Sequence, residues 1–275
     1  MKTIEQFYNH LLIKKGFGNV TIGGYKRVLS KFFRDIRTEN PTRKQAETYI
    51  TDMRKKPYSF SHIINTSIAI GRFMVFIKKP IEIVHPRKPK SLIKDTMTEG
   101  EVARILAATK NSREKAMLAI LAYSGIRNKE LCSLKAKDIN LDENVIKVIS
   151  GKFLKDRMVN ISRECAKIVS GYIGQYFQNV DGQYLFTTLR EKKQYNGWAL
   201  RKVVKVVAKR AKIKKRVYPH LFRHSLACNL LNRGANIMTI KEQLGHSDIR
   251  TTLIYAHSTP QRIKQEYDFY APSYS

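Results

Sequence analysis

Proline decides the first question this chain poses. After a long stretch of helical periodicity comes Lys78-Lys79-Pro80, and Pro86 and Pro89 follow closely. Proline lacks the backbone N–H and crowds the preceding turn, so neither a helix nor a central strand runs through such a segment. Residues 79–97 therefore read as a semi-extended linker between two folded parts, 1–78 and 98–275. Length agrees, since 275 residues against roughly 150 per domain favour two domains over one.

Both parts are written mainly in helical spacing. In the first, Ile4, Phe7, Leu11 and Leu12 share one face, as do Val28, Leu29, Phe32, Phe33 and Ile36. Shorter faces follow at Ala46, Tyr49, Ile50 and Met53, then at Ile63, Ile64, Ile70, Phe73, Met74 and Ile77. Breaks at Gly16/Gly18, Pro41 and Pro57 divide them into a four-helix unit. The second part opens at Thr98 with Glu101 in capping-box spacing. Its helical pattern is interrupted by the β-prone runs Val145–Ser150 and Met158–Ile161 around Gly151-Lys152, which read as a hairpin. Helices are expected again from Arg163, over Asn196–Lys212 and over His220–Asn232. The fold class is mainly α with a small antiparallel β-sheet.

Charge narrows the function. Fifty-two Lys and Arg against 22 Asp and Glu leave a net +30, far beyond what solubility requires, so a polyanion is the expected partner. The excess is +13 over residues 1–90 and +17 over 91–275, so both parts are expected to touch it. The longest apolar run, Ala116–Tyr123, is too short to cross a bilayer. Glu5, Gln6, Asn9 and His10 stand where a signal peptide would need apolar residues, so secretion is not expected and a cytoplasmic protein is. Cys132, Cys165 and Cys228 are odd in number and widely spaced, which suits reduced structural thiols better than disulfides or a zinc site.

Three segments of the second part carry chemistry. Tyr123-Ser-Gly-Ile-Arg127-Asn-Lys-Glu130 sets an arginine after a glycine turn, with Glu130 placed to accept a hydrogen bond from it. Pro219-His220-Leu-Phe-Arg223-His224 puts His220 and Arg223 on one helical face. Leu244-Gly245-His246-Ser247 precedes Thr251-Thr-Leu-Ile-Tyr255-Ala-His257. Two guanidinium forks can spread the charge that grows on a phosphodiester in its transition state. A histidine adds a donor, a phenol can attack, and an ammonium can protonate the leaving oxygen. Arg127, Arg223, His246, Tyr255 and Lys152 supply these groups. No dense acidic cluster accompanies them, so neither metal nor cofactor is expected. Taken singly each has an ordinary reading: arginines and hairpin lysines are usually solvated, a lone histidine usually packs, and Tyr255 is one of 14 tyrosines. The Arg201–Arg216 run, with nine basic residues and no acid, is by itself compatible with a solvated helix face.

In combination and order, Arg127, Lys152, His220, Arg223, His246 and Tyr255 resemble the signature of the tyrosine recombinases, the phage-integrase and Xer-like enzymes. The likeness runs from Thr98 to His257. Ser124-Gly-Ile-Arg127 stands for the more usual Thr-Gly-Leu-Arg, and Gly151-Lys152-Phe-Leu-Lys155-Asp-Arg157 resembles Gly-Lys-Gly-x-Lys-x-Arg with Phe153 in place of glycine. Lys152 is the preferred general acid and Lys155 its rival. The resemblance implies an N-terminal core-binding domain over 1–78 and a catalytic domain with a C-terminal tail over 98–275, closing as a C-shaped clamp on double-stranded DNA at a recombination site. It implies a 3′-phosphotyrosyl intermediate, a homo-tetramer on two sites, and a tail carrying Ile263, Tyr267 and Phe269 that is exchanged between neighbours. Resolution of chromosome or plasmid dimers is the expected role, because no additional arm-binding module is evident. A viral or plasmid integrase, a type IB topoisomerase-like relaxing enzyme and an inactive architectural protein remain alternatives.

Overall fold

The structure, a computed structural model, describes residues 2–83, 95–149, 156–176, 183–188, 193–246, 248–249, 252, 268 and 271. The chain divides into two compact units, Met1–Ile93 and Lys94–Ser275.

The first unit is built from α1 (Lys2–Asn9), α2 (Asn19–Ile36), α3 (Arg43–Lys55) and α4 (Phe60–Phe76). Thr42 opens α3 through a reciprocal capping box with Gln45, and the Ser59 hydroxyl accepts from the His62 amide at the start of α4. Their apolar faces close over Phe7, Leu29, Phe32, Phe33, Ile50, Phe73 and Met74. Phe7 and Phe33 meet Phe73 edge to face with centroids 5.4 and 5.0 Å apart, the arrangement that aromatic quadrupoles favour. One residue departs from the sequence reading. Leu12 was expected on the inner face, but the chain after α1 widens into a π turn over His10–Lys14. Leu11 stays in the core, while Leu12, the next residue around the turn, is 44% exposed.

The second unit surrounds α6 (Ser112–Ser124), whose residues Ala116 to Leu121 are all buried. A helix apolar all round belongs in an interior, and α8 (Arg163–Tyr176) and α10 (Pro219–Asn232) pack against it. Before it comes α5 (Glu99–Ala107), opened by the Thr98–Glu101 capping box, and after it the short α7 (Asn128–Ser133). The expected hairpin is present as β2 (Val145–Val148) and β3 (Arg157–Asn160), with Val148 opposite Arg157 and Val145 opposite Asn160. A two-residue strand that the sequence reading lacks, β1 (Ile139–Asn140), pairs with β2 and completes a three-stranded antiparallel sheet in the order β1-β2-β3. The chain then continues through α9 (Gly197–Arg210) to α10 and α11 (Ile237–Leu244), and α11 packs on α10 through Ala227, Leu231, Ile240 and Leu244. All three cysteines are free thiols, Cys132 and Cys165 fully buried. No described helix is long and apolar enough to cross a membrane.

Candidate active site

The site begins where α6 ends. Gly125 takes φ +67°, and a Cβ there would lie 2.7 Å from Leu244 Cδ2 and 2.9 Å from Leu226 Cδ2, so both backbone and packing demand glycine. The turn buries Ile126 and delivers Arg127 to the N-cap of α7. There the Arg127 amide donates to Glu130 Oε2 at 2.7 Å and its Nη1 donates to Glu130 Oε1 at 2.7 Å. Its Nη2 donates to the Gly245 carbonyl at 3.1 Å. With 34% of its side chain exposed, Arg127 still faces solvent.

Arg223 reaches the same corner from α10. It is 2% exposed, and its two terminal nitrogens donate to the carbonyls of Gly125 at 2.7 Å and Leu244 at 2.6 Å. Those of Leu244 and Gly245 lie at the C-terminus of α11, where unpaired carbonyls gather partial negative charge and favour a cation. Two guanidiniums are thus held by main-chain oxygens of one small region. Gly245, at φ +65°, ends α11 and presents His246 beside them. His246 Nδ1 lies 2.8 Å from the buried Thr252 hydroxyl. Burial, and then the charges of Arg223 and Arg127, push the His246 imidazole down to about 4, so it is neutral at neutral pH.

A second arginine shares Glu130. Arg157, the first residue of β3, donates Nη1 to Oε1 at 3.0 Å and Nη2 to Oε2 at 2.9 Å. Burial by itself would raise the Glu130 carboxyl, but hydrogen bonds from Arg157 and from the Arg127 amide and side chain outweigh it and hold it at about 2. Gln243 of α11 accepts from the Asn160 amide at 3.1 Å and donates to the Asn160 carbonyl at 2.8 Å, clasping the far end of β3.

Of the residues expected from sequence, the structure gathers Arg127, Arg223 and His246. His220 lies in the first turn of α10, exposed, its ring centroid 5.1 Å from that of His224. Its charge is among those that depress His246. Lys152 and Tyr255 lie outside the described residues, as do Lys155, His257, Ile263, Tyr267 and Phe269. The sequence reading left Arg157, Gln243 and Thr252 without roles. Arg157 alone carried a signal, as the last basic residue of the hairpin pattern. Among the described residues no three His, Cys, Asp or Glu side chains cluster as a metal site would need.

Residues 95–262 match the model of the phage integrase family. The chain belongs to that family and is a tyrosine site-specific recombinase. The recombinase is 32% identical to tyrosine recombinase XerA of Pyrococcus horikoshii, over 95% of this chain and 91% of that one. It is similar to a crystal structure of XerA recombinase, with TM-score 0.59, 29% identity and 99% of each chain covered. The Tn1549 transposon integrase in complex with transposon right end DNA shares the fold, with TM-score 0.78 at 18% identity, over 98% of this chain and 99% of that one. The mainly helical architecture with its small sheet is therefore that of the recombinases.

Proposed function

We propose that this recombinase binds a double-stranded DNA recombination site and exchanges strands through Tyr255, in a Xer-like role that resolves chromosome or plasmid dimers. The observation that carries the reading is the convergence of Arg127 and Arg223 on the carbonyls of Gly125, Leu244 and Gly245, beside a neutral His246. Two forks fixed before substrate arrives need little reorganisation as charge grows on the non-bridging oxygens. The 2.8 Å contact between Nδ1 and the Thr252 hydroxyl supports the tautomer in which the hydroxyl donates to Nδ1 and the proton sits on Nε2, a donor to the same phosphate. His220 completes the histidine–arginine pair of α10.

In this mechanism the Tyr255 oxygen, its proton passed to water, bonds to phosphorus while the bond from phosphorus to the 5′ oxygen breaks. Lys152 protonates the departing oxygen, leaving a 3′-phosphotyrosyl bond and a free 5′-hydroxyl. Attack by a 5′-hydroxyl from the partner duplex reverses the step, so no ATP is consumed. The strong basic excess of both parts of the chain supports DNA contact by each, the 1–78 domain included. Similarity to recombinases named XerA supports the Xer-like role; four copies acting on two sites in the cytoplasm, at the nucleoid, with tails exchanged between them, are part of the same proposal.

A nicked suicide duplex, from which the cleaved 5′-hydroxyl fragment diffuses away, tests the chemistry. Wild-type protein should be trapped covalently on the 3′ phosphate without Mg²⁺, and Tyr255→Phe should give no adduct while still binding DNA. An adduct that persists in Tyr255→Phe, or a strict metal requirement, rules the mechanism out. Joined products from two cognate sites would separate recombination from simple relaxation.

A further inference from the structure

We infer that Arg157 is a positioning residue that sets the hairpin, the Arg127 fork and the His246 turn in one register and leaves the Arg127–Glu130–Arg157 trio net positive toward the phosphate. The residue links all three pieces, through its backbone, through Glu130 and through its stem. The backbone belongs to β3 and pairs with Val148 of β2. Both terminal nitrogens hold the Glu130 carboxylate, which in turn holds the Arg127 amide and guanidinium. The stem lies on the backbone of Gly245: a Cβ built there would fall 2.5 Å from both Cδ and Nε of Arg157. Gly245 is also the residue whose carbonyl receives Arg127 Nη2. Only 13% of the Arg157 side chain is exposed, and its buried Nε has no acceptor among the described residues. That is the geometry of a fork aimed end-on at a carboxylate.

Charge arithmetic gives the arrangement its purpose. Arg127 and Glu130 alone would form a neutral pair, and an arginine fully engaged by a carboxylate is a weak host for a phosphate. With Arg157 added, two guanidiniums share one carboxylate and the trio carries a net positive charge. Glu130 therefore orients Arg127 without neutralising the site. The strand β3, five residues after Lys152 in sequence, is tied by the same side chain, through Glu130, to the arginine proposed to grip the non-bridging oxygens. A shift of β3 would move the two out of step, and displacements of about 1 Å at a reacting centre can cost around a hundredfold in rate.

This inference rests on the phosphotyrosyl reading above, and the experiment separates the two. Single-turnover cleavage of the suicide duplex, measured against protein concentration, gives DNA affinity and cleavage rate independently. Arg157→Met, which keeps the apolar stem and loses the guanidinium, should bind DNA within about threefold of wild type and cleave roughly 10- to 100-fold more slowly. Adding Glu130→Gln to it removes the carboxylate charge that now neutralises Arg127. The double variant should then cleave several-fold faster than Arg157→Met alone, a rescue that generic structural damage would not give. Should Arg157→Met fail to fold, Arg157→Lys decides: it keeps the charge, loses the two-pronged contact, and should cleave roughly tenfold more slowly at unchanged affinity. Wild-type cleavage by Arg157→Met, or by Arg157→Lys where that variant decides, or a double variant no faster than Arg157→Met, overturns the inference. If wild-type protein forms no adduct at all, the failure belongs to the underlying mechanism instead.

Discussion

Arg127 and Arg223 enter the site on unequal terms, and their alanine variants should differ accordingly. Arg127 keeps about a third of its side chain in solvent, so Arg127→Ala should abolish cleavage at a smaller cost in stability than loss of the buried arginine. Arg223 is buried and satisfies two carbonyls. Losing two charge-assisted bonds of about 1.5–3 kcal/mol each should make Arg223→Ala both inactive and several kcal/mol less stable, a contrast that denaturant titration of the two proteins would show. Protonation gives a second expectation. His246 is held at about 4 and Glu130 at about 2 when folded, both below their unfolded values. In each case the unfolded chain binds more protons, so stability is complete at neutral pH and falls as pH drops. The loss should run from about pH 6.5 to 4 for the histidine and from about 4.5 to 2 for the carboxyl. Unfolding free energy measured across pH 7 to 4 should decline in wild type and decline less in His246→Gln; equal slopes would contradict the assignment. The arginines and histidine were legible in sequence because their order forms a pattern. Thr252 and Gln243 were not, since a hydroxyl or amide that orients another side chain is identified only by what it touches.

At the scale of elements, the site depends on how strands and helices end. Gly125→Ala would add a side chain at positive φ and force it into Leu244 and Leu226. Backbone strain plus overpacking predicts a loss of about 2–4 kcal/mol, readable as a lowered melting temperature, together with slower cleavage as Arg127 is displaced. The long elements were visible in the sequence: α8, α9 and α10 begin within a residue of the expected places, because their apolar spacing runs for several turns and Asn196 caps α9. What escaped was short. β1 has two residues and no period to read, and α11 has eight, its Ile237, Ile240 and Leu244 too few to stand out. The π turn after α1 escaped for another reason, since a local widening of a helix follows from tertiary packing and leaves the apolar spacing intact.

For the whole molecule, charge is the controlling quantity. DNA affinity should fall steeply with salt as neutralised phosphates release counterions. Charge reversals of exposed lysines test each unit in the full-length protein. Lys26→Glu and Lys44→Glu in the first unit, and Lys205→Glu and Lys209→Glu on α9 in the second, should each weaken binding at all sequences alike. Each lysine that touches a phosphate should reduce the slope of log affinity against log salt by about one. An unchanged slope for both variants of one unit would remove that unit from the DNA contact. The two-part organisation and its basic excess were legible from proline placement and residue counts, whereas the sharing of Glu130 between two arginines needed three dimensions. The forks of Arg127 and Arg223 are held largely by main-chain oxygens, which every sequence possesses. Side chains beyond Glu130 and Arg157 can therefore drift without dismantling that seat. Retargeting such an enzyme is then a matter of altering what approaches the seat, with Gly125, Glu130, Arg157 and Gly245 as the positions to leave alone.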